Sequence, residues 1–297
     1  MNYNYEKIEF RKFLENNEKR VFEGGRRFNE KNRNEKRGRP IISIITVVKN
    51  KSKFIQETIN SIKSQSYQNI EYIIIDGVST DGSLEIIKKN LDFVDYFVCE
   101  PDLGNYDAIN KGLSLCTGDL IGIVNSDDVL LPNALDILVD YYNKNPNVQL
   151  FFGSVKKHWG TISGYYPNKI KYSWFFYTSH STGFFLTRDA AEKNGKYSLK
   201  YKYSSDFDYF YRLIVHNKFK GLATKKDEIF GIFRPGGISA TLNKEDHFFE
   251  KIQIRLDNKQ NKLFLTFLYI FKIFKNLLKK EKISYIKYLK FYLKNFI

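Results

Sequence analysis

The chain has 297 residues, 42% of them apolar and 16% aromatic, which is enough to bury a sizeable core without disulfide support. Its net charge of +15 belongs to the ends: residues 1–40 hold 12 Lys/Arg against 7 Asp/Glu, a net of +5, and residues 258–297 hold 10 Lys against one Glu, a net of +9. The stretch 41–257 is left with only +1, which disfavours a nucleic-acid-binding core and favours basic ends that meet an acidic surface.

The N-terminal sequence MNYNYEKIEFRKF is charged and has no apolar h-region, so no secretory signal is expected, and residues 1–39 read as a basic arm or linker. A central body follows over 40–243. IISIITVV (41–48) is a β-branched run, as in a strand buried on both faces. Ile55, Ile59 and Ile62 then repeat at helical spacing, and IEYIII (70–75) is a second strand. STDGSLEIIKK is a turn feeding a helix, with Ser79 or Asp81 as N-cap. VDYFV (94–98) is a third strand, and Tyr106, Ile109, Leu113 and Cys116 form a helical stripe. DLIGIV (119–124) is a fourth strand, and PNALDILVDYY opens a helix with proline in its first turn. Four strand–helix alternations require a mostly parallel sheet with helices on both faces, an α/β fold that binds ligands beyond the carboxyl ends of its strands. Polar clusters at Lys49–Asn50, Asp76, Glu100–Asp102 and Asn125–Asp128 fall at those ends. Further along, VQLFFGSV and HSTGFFLTR read as strands, 204–217 as a helix with Phe207, Phe210 or Tyr211 and Ile214 inward, and 230–239 as a strand leading into a Gly-Gly turn.

The phosphate-binding loops GxGxxG after the first strand and GxxxxGK[ST] are absent, as is GxSxG, which argues against a dinucleotide dehydrogenase, a P-loop NTPase or a serine hydrolase. His158, His180, His216 and His247 lack zinc-ligand spacing, and Cys99 and Cys116 form no CxxC pair, so two reduced thiols are expected. NSDD (125–128) supplies oxygens suited to Mg²⁺ or Mn²⁺, with phosphate completing the octahedron. Taken alone, the same residues also suit an Asx-rich turn.

ISIITVVKN, IEYIIIDGVSTDGS, EPDLGNYDAINKGLSLCTGDLIGIVNSDD and SSDFDYFYRL occur in this order and at spacings that resemble the GT-A fold glycosyltransferases of family 2, especially their bacterial cell-surface polysaccharide branch. The resemblance covers about residues 41–240. It implies a nucleotide-sugar donor, with UDP-sugar the leading choice, a divalent metal and inversion at the anomeric carbon. On matching positions it puts Thr46 and Val48 beside the nucleoside and Asp76 near the nucleobase, with Asp81 one turn on; Gly77 stands where relatives often have a second acid. Asp107, Asn110 and Lys111, at i, i+3 and i+4 of one helix face, match residues near the nucleotide. The metal motif has Asn125 in its first place, so Asp127 and Asp128 inherit the ion, with Asp128 favoured, and Asn125 and Asp127 also face the donor. Asp206 matches the catalytic base, with an N-cap as its plain structural alternative. His180 and Asp208 are expected on the acceptor side, and Gly236 and Gly237 near the donor phosphates.

In the basic tail, 244–297, Lys272, Lys275, Lys279 and Lys282, then Lys287, Lys290 and Lys294, form stripes opposite Leu, Ile, Phe and Tyr. That pattern suits helices lying in an anionic membrane interface, or amphipathic helices docked on the catalytic body or a second subunit. The resulting expectation is a peripheral enzyme on the inner face of the cytoplasmic membrane acting on a glycan or lipid-linked glycan. An inactive sugar-nucleotide-binding relative and a metal-dependent nucleotidyltransferase are the competing readings.

Overall fold

In chain order the first half runs β1 (Phe22–Gly24), β2 (Ile42–Val48), α1 (Ile55–Lys63), β3 (Ile70–Asp76), α2 (Ser83–Lys88), β4 (Tyr96–Cys99), α3 (Asn105–Leu115), β5 (Leu120–Ile123), β6 (Val129–Leu130) and α4 (Ala134–Lys144). The second half runs β7 (Leu150–Phe152), β8 (Ser154–Lys157), β9 (Gly160–Ile162), α5 (Lys169–Tyr172), β10 (Phe184–Thr187), α6 (Arg188–Asn194), α7 (Ser205–Tyr211), β11 (Gly221–Ala223), β12 (Ile229–Ile232), α8 (Lys244–Asp257), α9 (Lys262–Leu278) and α10 (Tyr285–Phe296). This computed structural model describes residues 5–28, 38–172, 181–234, 243–278 and 284–296.

The larger sheet has the order β1-β4-β3-β2-β5-β10-β7-β11, with β4, β3, β2 and β5 mutually parallel. All seven residues of β2 are buried, as a continuous β-branched run between two helical layers requires. Its Ile42, Ile44 and Val48 join α1, α2 and α4 on one face, and Ile45 and Val47 join α3, α6 and α7 on the other. Gly112 lets α3 sit directly on Ile45, whose side chain would collide with any Cβ there.

VQLFFGSV does not form one strand. It divides at Gly153 into β7, in the large sheet, and β8, in a second sheet of order β6-β12-β8-β9. The Phe230 ring fills the space a Cβ at Gly153 would need, so the chain passes between sheets only at a glycine. The 204–217 helix is α7 continued as a π-helical turn over 212–216, with Phe207 and Tyr211 buried.

Residues 5–28 of the basic arm lie along the body. β1 pairs antiparallel with β4, Ile8 enters the core, and Arg27 donates to Glu71 Oε1 at 2.8 Å and to the Leu115 carbonyl at 2.5 Å. Glu71 is fully buried and also accepts from Ser43 and Thr117. Burial opposes its ionisation, but Arg27 and these donors hold its pKa below the usual 4.5. Its stabilisation is therefore present above pH 4.5 and lost as pH falls through the lowered value. Replacing Arg27 with Met strands the Glu71 charge. It should cost about 3 kcal/mol in urea denaturation at pH 7, with a smaller deficit in acid.

α8 is bonded to the region around α7. Glu250 accepts from the backbone N–H groups of Lys202 and Tyr203, Arg255 donates to the Lys171 carbonyl, and Asn258, just past the helix, donates to Asp208 at 3.0 Å. α9 and α10 pack on it through Phe249, Tyr269, Tyr288 and Phe291.

Candidate active site

The carboxyl ends of β2, β3, β4 and β5 lie along one edge of the sheet, because the four strands are parallel. The loops after β2 and β3 are laced together there. Lys49 donates to the Gly77 and Val78 carbonyls, Asn50 N–H to Ser79 Oγ at 2.8 Å, Lys51 N–H to Ser83 Oγ at 2.9 Å, and Ser52 N–H to Asp81 at 2.8 Å. Asp81 also accepts from Ser83 N–H at 3.1 Å and Ser83 Oγ at 2.6 Å, which ties the loop to the start of α2. Although desolvation opposes it, these hydrogen bonds hold the Asp81 carboxyl well below the ordinary range.

Several residues expected at the nucleotide have other partners. Thr46 is fully buried, donates to the Val124 carbonyl at 2.8 Å and accepts from Tyr72 at 3.1 Å; beside it on β2, Val48 is almost fully buried. Asp76 is likewise fully buried and accepts from Ser79 N–H at 2.8 Å, Ser79 Oγ at 2.5 Å and Cys99 Sγ at 3.1 Å, so it holds the 76–79 turn. Asn110 pins the backbone of Tyr197, donating at 2.9 Å and accepting at 2.8 Å, and does not share an outward face with Asp107 and Lys111. Lys111 binds the buried Glu100 at 2.8 Å and the Pro101 carbonyl at 2.8 Å, so its charge offsets a protein carboxylate. Asp107 accepts from Leu103 N–H at 3.0 Å at the start of α3.

A feature the sequence reading overlooked stands beside Asp76. The Asp102 carboxylate occupies the space that a side chain at Gly77 would need. The position of the absent second acid is thus filled by an acid from the β4–α3 loop.

The Asn125–Asp128 turn separates its carboxylates. Asp128 is fully buried; its Oδ2 accepts from Thr182 Oγ1 at 2.8 Å and Asn125 Nδ2 at 3.0 Å, and its carbonyl accepts from Thr58 at 2.8 Å. Burial pushes its carboxyl up to about 6; the Thr182 hydrogen bond opposes this and the Asp127 charge adds to it. Asn125 also donates to Ser181 Oγ at 2.9 Å. Asp127 faces outward and meets Lys51 Nζ at 2.6 Å, with both side chains partly exposed. Of the two carboxylates expected to share the ion, Asp127 presents its carboxylate outward and Asp128 is buried in the turn beneath it. Lys51 and Arg234 were missed because they lie far away in the chain. Arg234 pairs with Glu57, and its backbone N–H points to Asp128 at 3.4 Å. Among the described residues no group of three or more His, Cys, Asp or Glu stands together as a metal site.

Asp206 lies in the first turn of α7, whose N-cap is Ser204, so it is not itself the cap. It accepts from Phe207 N–H at 2.7 Å and is partly exposed. Tyr106, from the first turn of α3, lies against the backbone at Ser205 and Asp206; burial first, and then the Asp206 charge, raise its pKa well above 10.0. α3 follows the carboxyl end of β4, so Asp206 belongs to the same edge of the molecule as the strand ends. Lys251 of α8 is 3% exposed and lies 5.5 Å over the Phe207 ring; burial lowers its pKa to about 8, with the Asp206 charge pulling the other way. Asp208, two residues beyond Asp206, points into the protein. It is 1% exposed and held by Arg212 at 2.9 Å and Asn258 at 3.0 Å. His180, Gly236 and Gly237 lie outside the described residues.

A parallel sheet with an acidic turn at the end of a central strand, backed by an antiparallel extension, is the layout of a GT-A fold. Residues 43–199 match the family described as glycosyl transferase family 2, and the chain belongs to that family. It is 26% identical over 195 residues to an uncharacterised glycosyltransferase of Methanocaldococcus jannaschii, covering 60% of this chain and 66% of that protein. It is 36% identical over 101 residues to the glycosyltransferase GlyG of Streptococcus pneumoniae, covering 33% of this chain and 34% of that one. The chain thus matches less than two thirds of the length of either relative. Among solved structures, S. aureus TarS 1–349 in complex with UDP-GlcNAc superposes with a TM-score of 0.58 at 16% identity, covering 73% of this chain and 66% of that one. The mannosyltransferase PcManGT of Pyrobaculum calidifontis, in complex with GDP-Man and Mn²⁺, gives 0.55 at 18% identity, covering 73% and 64%. At these identities the superpositions speak for the fold.

Proposed function

We propose that the protein transfers a sugar from a UDP-sugar, with inversion, to a glycan or lipid-linked glycan acceptor in cell-surface polysaccharide synthesis. The observation that carries this reading is the Asn125–Asp128 turn, which buries one carboxylate and turns the other outward at the end of β5. Its donor set fits a hard divalent ion, Mg²⁺ or Mn²⁺, of the kind held by one or two carboxylates plus substrate phosphates. Asp127 is the ligand, and Asp128 fixes the turn from below. A cation bound there supplies Lewis-acid stabilisation of the departing diphosphate.

The protein's own residues do the rest. The laced loops at 49–52 and 76–83 form a rigid floor for the nucleoside, with Asp102 beside Asp76 as its acidic wall. Asp206 accepts the proton of the acceptor hydroxyl as that oxygen attacks the anomeric carbon from the side opposite the leaving group. Holding both substrates in line supplies much of the rate.

The tail supports a site of action at the inner face of the cytoplasmic membrane. Leu263, Phe267, Ile270, Phe271, Phe274 and Leu278 form one exposed stripe along α9, while Leu265, Leu268 and Tyr269 face inward. No described helix is long and apolar enough to cross a membrane.

The test is a screen of nucleotide sugars with Mn²⁺ or Mg²⁺ for release of nucleoside diphosphate. Release is expected with a UDP-sugar. In Asp127→Asn it should fall by about a hundredfold or more while the thermal transition is retained. Full turnover by Asp127→Asn would remove the metal role, and release from no donor would count against the transferase reading of this chain.

A further inference from the structure

Lys51 is the partner that the sequence did not suggest, and its surroundings are unusual for a surface lysine. Its backbone N–H is fixed by Ser83 Oγ at 2.9 Å, so the loop that carries it is built into the laced edge. Its Nζ meets Asp127 Oδ2 at 2.6 Å and lies 6.0 Å from the Phe54 ring centroid. Arg234 approaches the same ring at 5.6 Å, and its backbone N–H points to Asp128. Two cations therefore flank Phe54 beside the Asp127–Asp128 pair. The Arg234 guanidinium is paired with Glu57, whereas the Lys51 ammonium is held by Asp127, the carboxylate that a divalent cation would take.

We propose that Lys51 is an exchangeable counter-ion: it neutralises Asp127 in the free enzyme and moves to the donor's diphosphate when a divalent cation takes Asp127. This deepens the donor-site reading above and rests on it. The physical argument is charge conservation at one carboxylate. Asp127 cannot hold an ammonium and a divalent cation on the same oxygen, and an ammonium released at that spot lies within side-chain reach of the phosphates that complete the cation's shell. Lysine suits the task because its ammonium is a point charge on a long flexible stem, whereas a bidentate arginine would hold the carboxylate more rigidly. The exchange couples the two ligands. A diphosphate that draws Lys51 away frees Asp127, and a cation on Asp127 frees Lys51, so each strengthens the other's binding.

The experiment compares the full-length wild type with Lys51→Met and Lys51→Arg, measuring Mn²⁺ by electron paramagnetic resonance and UDP by calorimetry, each alone and in the presence of the other. In Lys51→Met, Mn²⁺ alone should bind roughly fivefold more tightly because its competitor is gone. UDP should bind roughly tenfold more weakly, and the mutual enhancement should shrink by a similar factor. Lys51→Arg keeps the charge but grips Asp127 more rigidly, so it should bind Mn²⁺ alone more weakly than wild type; Mn²⁺ binding by Lys51→Arg as tight as that of Lys51→Met counts against the exchange. Unchanged or weaker Mn²⁺ binding in Lys51→Met, or unchanged UDP binding, overturns the exchange. Failure of the wild type to bind either ligand strikes the donor-site reading itself, so the two failures are distinguishable.

Discussion

Asp206→Asn should lower the turnover number by about a thousandfold while leaving the donor KM within a few fold, the signature of a group that acts in the transition state and not in donor binding. The substitution is nearly isosteric, and its amide oxygen keeps the acceptor that Phe207 N–H now meets at 2.7 Å. The start of α7 is therefore not the reason for the loss: Ser204 is the N-cap, and Asp206 lies in the first turn with its carboxylate beside Tyr106. What the variant removes is the negative charge proposed to take the proton. The same charge faces Lys251, which burial lowers to about 8 and Asp206 draws back up. Loss of that charge should push the lysine lower still, so the variant should show its thermal transition with little change at pH 7 and a small loss at most. The measurement is steady-state transfer with the identified donor, alongside a thermal melt. Turnover within tenfold of wild type would remove Asp206 as the base.

The contrast between Asp206 and Asp208 shows what could be read from the sequence and what could not. Both lie in SSDFD, two residues apart, and a helix turns them by about 200° relative to each other. One therefore faces the strand-end edge and the other the core, where Arg212 and Asn258 take its oxygens. Asn258 lies 50 residues away, so nothing local distinguishes the two roles. The same holds for NSDD. That the turn lies at the ligand-binding edge of the sheet follows from its position after a buried parallel strand. Which of its two carboxylates faces outward is decided by Thr182 and Lys51, which come from segments more than 50 residues distant on either side. Asn110 fits a helix-face pattern with Asp107 and Lys111 but is claimed by the Tyr197 backbone, 87 residues on. By contrast, β2, β3 and β5 are legible because strands buried on both faces must be continuously apolar, and the sequence shows such runs directly. β1 is not legible: three residues at a sheet edge have neither length nor alternation, and only the pairing with β4 makes them a strand.

The tail gives the second large effect. In the full-length chain, Phe267→Glu combined with Phe274→Glu should reduce partitioning onto vesicles rich in anionic phospholipid by about a hundredfold, with little change in donor turnover in solution. The two rings are 65% and 57% exposed and lie seven residues apart on one stripe of α9, outside the tail's buried cluster, with Phe267 stacked on Phe271 of the same stripe. Each large apolar side chain moved from water into the acyl boundary is worth roughly 1.5–3 kcal/mol, and a carboxylate in its place adds a penalty near anionic headgroups. The inward stripe behaves differently. Leu265 and Tyr269 are fully or almost fully buried, and Tyr269 donates to the Tyr288 carbonyl at 2.6 Å, so polar substitution there should unfold the helical pair instead of loosening a surface. One side of α9 is thus docked on the rest of the tail, and the other is an open apolar stripe on which the membrane reading rests. The feature that favours an anionic bilayer as the proposed occupant of the outer stripe is charge, since residues 258–297 carry 10 Lys and one Glu. Lys290 and Lys294 stand exposed beside Ile286, Leu289 and Leu293, which are themselves exposed on α10. Each lysine near such a surface contributes about 1 kcal/mol, and that contribution fades with salt. Wild-type binding should therefore weaken on uncharged vesicles and in high salt, while the double variant should be weak under all conditions. Equal vesicle binding by wild type and variant would rule the stripe out as the contact. A shift of the wild type alone to a larger species in solution, abolished by the same substitutions, would assign the stripe to a second copy of the chain instead.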